Sequence, residues 1–257
     1  MEGLFLPKIN IPKGLPFGPA YLRIYEGIKS LFFQKNKGQV LCSFCSSIYT
    51  FYKRLKDDFD GFGDVVDILK SEIKKTDPNN EIFKYKSSDF ESIYLFFDYD
   101  FYWGNLKKKN EQILELLEYF NEETENGKLF ISYPMIESIQ YTKELPDNQF
   151  PTYTVSRDAS MGENFKKAAK QFCHYKGYTY LKDLTNWKHL ILQNVWKANL
   201  LTNDKLIWPK QKEDVEQITV FNAQVKKHIV PNNEVAILNA FPMFLYYYFP
   251  KYRFEAE

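Results

Sequence analysis

Two aspartates stand one residue apart where a β-prone, largely apolar run ends: Ser92-Ile93-Tyr94-Leu95-Phe96-Phe97 leads directly into Asp98-Tyr99-Asp100. A strand apolar on both faces belongs in the buried centre of a parallel sheet. Open parallel sheets bind their ligands at the carboxyl ends of strands. Alternate residues of a strand share a side, so Asp98 and Asp100 can face one pocket. Two carboxylates held together repel, and each resists leaving water. A divalent cation removes both penalties; Mg²⁺ takes one or two protein carboxylates and keeps several waters. Such an ion can polarise a phosphate and activate water. The plainer reading of the same pair is two solvated turn residues.

A second group of residues could touch a polyanion. Lys166, Lys167, Lys170 and Lys176 are interleaved downstream with Tyr175, Tyr178 and Tyr180. Cations can track a phosphate backbone while aromatic rings stack on exposed bases. An ordinary solvated helix followed by a loop gives the same pattern. Cys42-x-x-Cys45 and the adjacent Cys173-His174 supply four zinc-ligating groups, but paired zinc motifs usually offer two close ligands twice; buried thiols are the simpler account. His174, His189 and His228 are scattered, and Glu111, Glu115, Glu118 and Glu122 have the spacing of a solvated helix face. Neither a phosphate-binding loop nor a dinucleotide fingerprint is present, so ATP hydrolysis by this chain is not expected.

These residues need elements to place them. Pro19 opens an amphipathic helix to about Phe33, a short strand is expected over Gln39–Phe44, and helical spacing returns at Ile48–Leu55 and Val65–Ile73. After the strand that ends at Asp98, a helix is expected over Leu106–Glu123, stopped by Asn126-Gly127, then a strand over Lys128–Tyr133. This alternation gives an α/β domain with a mostly parallel sheet flanked by helices over residues 1–145. Pro146 and Pro151 mark a linker, and residues 146–257 read as an α-helical domain, with helices over Asn164–Tyr175, Thr185–Leu200, Glu213–Ile229 and Asn233–Phe249.

Composition sets outer bounds. The chain has 257 residues, 44% hydrophobic and 26% charged, an ordinary balance that excludes wholesale disorder. Lys+Arg number 34 against 33 Asp+Glu, so no uniform basic coat exists. The charge is nevertheless uneven: residues 1–150 hold 19 basic and 23 acidic side chains, and residues 151–257 hold 15 and 10. An acidic site beside a basic surface is compatible with that split. No stretch is apolar and long enough for a membrane span. With no secretory leader pattern and three cysteines, a cytoplasmic location is expected.

The segment Ile93–Asp100 resembles the D-x-D strand of a Toprim domain, and Glu122–Ser138, with a strand closed by Pro134 and followed by Glu137, resembles Toprim-like nucleases of bacterial phage-defence loci (the RloB-like and abortive-infection groups). The stretch Asn233–Leu245 is similar to the end of bacterial proteins of that type. The resemblance covers about residues 90–140 most specifically. It implies a Toprim-like sheet and Mg²⁺- or Mn²⁺-dependent phosphodiester chemistry on DNA or a structured RNA such as tRNA. It also implies antiphage defence under control of an ABC- or AAA-type ATPase. Asp98 and Asp100 would hold the metal, and Glu137 would be a further ligand or a water-orienting base. The family's first strand leads into Glu-Gly; here Glu2-Gly3 precedes any expected strand and Glu26-Gly27 lies inside the first expected helix, from which Glu26 would point into the site. That departure leaves a second reading, a catalytically inactive Toprim-like module that binds an ATPase or a phage protein.

Overall fold

The computed structural model describes residues 19–32, 46–57, 63–76, 78–102 and 104–249. The apolar run becomes β1 (Tyr94–Asp98), preceded by α1 (Pro19–Phe32), α2 (Ile48–Asp57) and α3 (Val65–Thr76). Leu95 and Phe97 are buried on one face of β1. On the other, Phe96 stacks on Phe241 with centroids 4.4 Å apart and on Phe130 at 5.6 Å. Phe51 of α2 closes the first face, stacked on Phe97 at 5.0 Å. Aromatic mass therefore fills both sides of the strand that carries Asp98, and among the described residues ten phenylalanines are buried in the core.

Asn105 caps α4 (Leu106–Tyr119) by accepting from the Lys108 N–H, and Ile113, Leu116 and Leu117 form its buried stripe. The helix ends four residues earlier than its period suggests. Asn121–Glu122 (β2) folds back antiparallel onto β3 (Gly127–Ser132), while β1 pairs with β3 in parallel, Asp98 opposite Ser132. The return is possible because Gly127 has φ +110°, and a Cβ there would stand 3.2 Å from Ile93. The sheet order is β1-β3-β2. Among the described residues it is therefore mixed, with one parallel pair, rather than the mostly parallel Toprim-like sheet expected. The strand expected over residues 39–44 lies outside the described residues.

The second half is not purely helical. Helices α5 (Gly162–Phe172), α6 (Leu184–Asn203), α7 (Gln217–Gln224) and the short α8 (Val230–Asn232) are present, with a π-helical turn at Val225–Ile229. Two three-residue strands, β4 (Thr154–Ser156) and β5 (Glu234–Ala236), pair antiparallel. The helix expected over Asn233–Phe249 is thus split. Asn233 takes a left-handed conformation with φ +53°, β5 follows, and Asn239 caps α9 (Ala240–Tyr248) by accepting from the Phe241 N–H. Val235 to Leu238 are buried, and the Gln224 amide pairs with both backbone groups of Ala236, donating at 2.7 Å and accepting at 2.9 Å. Extended backbone buried this way has its hydrogen bonds met from outside a helix.

Packing is continuous across the expected 145/146 boundary. Tyr133 and Leu238 exchange backbone hydrogen bonds of 2.8 and 3.2 Å, and the Ala240 N–H donates to Ser132 Oγ at 3.2 Å. Asn239 Nδ2 donates to the Ile136 carbonyl and to Ser138 Oγ, both at 2.9 Å, while the Asn239 N–H donates to Asn194 Oδ1 of α6. This buried polar network clamps the 3₁₀ turn Ile136–Gln140, which carries Glu137, against the ends of β1 and β3. Among the described residues no helix is long and apolar enough to cross a membrane.

Candidate functional site

The chain leaves β1 at Asp98 but keeps pairing with the backbone beyond β3. The Tyr99 N–H donates to the Ser132 carbonyl at 3.0 Å and the Asp100 N–H to the Pro134 carbonyl at 3.2 Å. Asp100 itself is left-handed, φ +49°, a region that aspartate tolerates better than most residues. The shared-face argument for alternate strand residues therefore does not apply to this pair, since the strand has ended. The two carboxyls are brought near each other by the turn.

Asp98 Oδ1 accepts from the Tyr21 phenol at 3.0 Å and from the Ile136 N–H at 2.8 Å. The second bond satisfies a donor at the start of the Ile136–Gln140 turn, and so ties Asp98 to the segment holding Glu137. Burial pushes the Asp98 carboxyl well above its ordinary range; the charges of Asp100 and Glu137 add to the rise, and the Tyr21 and Ile136 hydrogen bonds oppose it. Asp100 is pushed up to about 6, chiefly by burial and also by Glu137, against the pull of Lys109 and Lys166. Burial raises Glu137 too, with Glu163 adding to it and Lys166 opposing. Glu137 Oε2 is buried with no hydrogen-bond partner. Three carboxyls thus press on one another at the ends of the parallel strands, each resisting ionisation.

Cations ring them. Lys166, on α5, bridges to Glu163 at 3.1 Å; burial pulls it down, but the Glu163 bond and the charges of Glu137, Glu163 and Asp98 outweigh this and raise it. Lys109, on α4, is lowered to about 8 by burial and by Arg157, with Asp100 opposing, and its Nζ lies 3.9 Å from the centre of the Tyr49 ring. The Arg157 guanidinium donates to the Gly104 carbonyl, fixing it beside the same turn.

Of the residues expected from sequence, Asp98, Asp100, Glu137 and Lys166 come together here. Lys167 and Lys170 are exposed on α5, and Lys176 is exposed and lines a different pocket. Glu26 is also exposed and lines that second pocket; it is absent from the charges acting on Asp98, Asp100 and Glu137. Its neighbour Gly27 has a packing reason, because a Cβ there would meet the Leu181 carbonyl at 2.7 Å. Cys42 and Cys45 lie outside the described residues. Tyr21, Lys109 and Arg157 were not expected; only the Lys107-Lys108-Lys109 triplet carried a local signal.

Among the described residues no group of three His, Cys, Asp or Glu side chains is disposed to hold a metal as placed. Hard oxygen donors, mutual repulsion and the orphaned Glu137 Oε2 nevertheless suit a divalent cation, which needs only one or two carboxylates from the protein. No protein-family model, curated protein or solved structure matches the chain.

Proposed function

We propose that the chain is a divalent-cation-dependent phosphodiesterase acting on nucleic acid. One observation carries the reading: Asp98, Asp100 and Glu137 crowd together at the ends of β1 and β3, with Lys109 and Lys166 close enough to act on them. An acidic centre with a basic rim fits a substrate that is itself anionic and arrives with a cation. Asp98 and Asp100 would hold Mg²⁺ or Mn²⁺, which when bound supplies charge stabilisation at the phosphate and a more acidic water. Asp98 is oriented by Tyr21 and Ile136. Glu137, with an unpartnered buried oxygen and a carboxyl that burial makes more basic, would accept a proton from the attacking water. Lys166 and Lys109 offset charge that builds on the phosphate oxygens. The choice between DNA and a structured RNA such as tRNA, a role in antiphage defence and an ATPase partner rest on the Toprim resemblance alone.

A non-catalytic interaction module is the second reading. It is favoured by the two structural hydrogen bonds on Asp98 Oδ1, which join α1, β1 and the Ile136–Gln140 turn whether or not a cation binds. Calorimetry with Mg²⁺ and Mn²⁺ on the wild type and on Asp98→Asn/Asp100→Asn, followed by cleavage assays on DNA and tRNA, separates the two. Binding and cleavage lost together in the variant support the enzyme. A wild type that neither binds cation in the presence of nucleic acid nor cleaves it leaves the module.

A further inference from the structure

A second pocket, of about 630 Å³, lies between α1 and the loop after α5. Arg23, Lys176 and Lys182 line it, against a single carboxylate, Glu26. Among the described residues no carboxylate forms an ion pair with any of the three cations. Three cations against one carboxylate on a concave surface leave a net positive charge there, which favours an anion. The walls are held in place. The Gln140 amide donates to the Gly177 carbonyl at 3.4 Å, the Tyr180 phenol donates to the Ile139 carbonyl at 2.9 Å, and Gly27 lets α1 close on Leu181. The Arg23 guanidinium lies over the Tyr178 ring, 5.7 Å from its centroid, and both residues line the pocket.

The pocket adjoins the carboxyl cluster. Gln140 and Ile139 belong to the turn that carries Glu137, and Tyr178 is close enough to feel the Glu137 charge. We propose that this pocket seats a backbone phosphate of a nucleic-acid strand whose neighbouring phosphates run to the carboxyl cluster, with Arg23 and Lys182 as its main ligands and Lys176 at the rim. This rests on the phosphodiesterase reading for its direction of travel. An arginine fork takes phosphate oxygens two at a time, and flanking lysines add point charge.

The test is fluorescence anisotropy of a labelled oligothymidylate in chelator, where no cleavage occurs, using the wild type, Arg23→Gln/Lys182→Gln and Asp100→Asn. Both replaced cations are exposed, and circular dichroism checks that the variant folds; Arg23→Lys should restore part of the affinity. The double variant should bind roughly tenfold or more weakly, with the salt dependence shallower by about one unit. Asp100→Asn should bind at least as tightly as the wild type. Equal binding by wild type and double variant overturns the proposal. If pyrophosphate binding depends on Arg23 while oligothymidylate binding does not, a small phosphate ligand replaces the strand. Weakened strand binding in a protein that never cleaves would leave the pocket standing and remove the enzyme; Asp100-dependent cleavage with unchanged strand binding would do the reverse.

Discussion

The phenol of Tyr21 donates a hydrogen bond of 3.0 Å to Asp98 Oδ1, and so joins the first helix of the described chain to the end of β1. This bond favours the ionised form of a carboxyl that burial and two neighbouring acids hold well above its ordinary pKa. Tyr21→Phe should therefore raise the Asp98 pKa further and weaken divalent-cation binding. It should also cost about 1 kcal/mol of stability. Carboxyl titration followed by ¹³C NMR checks the first effect and urea denaturation the last; an unshifted Asp98 titration would show that the phenol has no hold on the carboxylate.

Gly27→Ala should destabilise the protein although alanine is the better helix former. Alanine gains about 1 kcal/mol over glycine inside a helix. Its Cβ, however, would stand 2.7 Å from the backbone carbonyl of Leu181, which cannot rotate away. Forcing α1 off the Thr179–Lys182 turn should cost about 1–3 kcal/mol, enough to cancel the propensity gain or exceed it. Anisotropy with the same oligothymidylate should register a looser phosphate pocket. A more stable variant would mean that α1 and the turn are further apart than this.

The strand β1, its D-x-D ending and the helix after it were legible because each is written locally: a two-faced apolar run, a change to charge, and Asn105 followed by an amphipathic period. Glu137 was legible only through a family resemblance. Tyr21 and Lys109 were not, because each reaches the carboxyls through tertiary packing that leaves no spacing signal. The pairing of Thr154–Ser156 with Glu234–Ala236 was missed for a related reason. Three-residue strands are too short to show alternation, and the apolar stretch Val235–Leu238 reads equally well as buried helix. Lys176 shared a basic stretch with Lys166 in sequence, yet the chain turns at Gly177, φ +63°, and delivers it to another pocket.

Lys197 is buried in α6, with its Nζ donating to the Phe150 carbonyl at 3.0 Å and also to the Tyr153 carbonyl. Lys197→Met keeps the apolar stem but strands both carbonyls, and should cost about 2–4 kcal/mol. Burial pulls the Lys197 ammonium well below its ordinary 10.5. The folded state sheds that proton at a lower pH than the unfolded chain, so this group's contribution to stability grows as pH rises toward 10.5. Denaturation curves across the alkaline range should show that upward slope in the wild type and not in the variant. Parallel slopes would assign the burial no electrostatic cost.

Asp100 makes the opposite pH prediction. Its carboxyl is raised from 3.8 to about 6, so between those values the folded protein keeps a proton that the unfolded chain has lost. In chelator, stability should fall as pH rises through this window, by up to about 3 kcal/mol. Asparagine tolerates the left-handed backbone at this position, and Asp100→Asn removes the charge without removing the shape. The variant should match the wild type near the lower end of the window and exceed its stability by about 1–3 kcal/mol above the upper end. Adding Mg²⁺ should then restore the wild type by mass action and leave the variant unchanged. Equal stabilisation of both proteins by Mg²⁺ would place the cation somewhere other than Asp100, and a variant less stable at every pH would make this carboxylate a structural group.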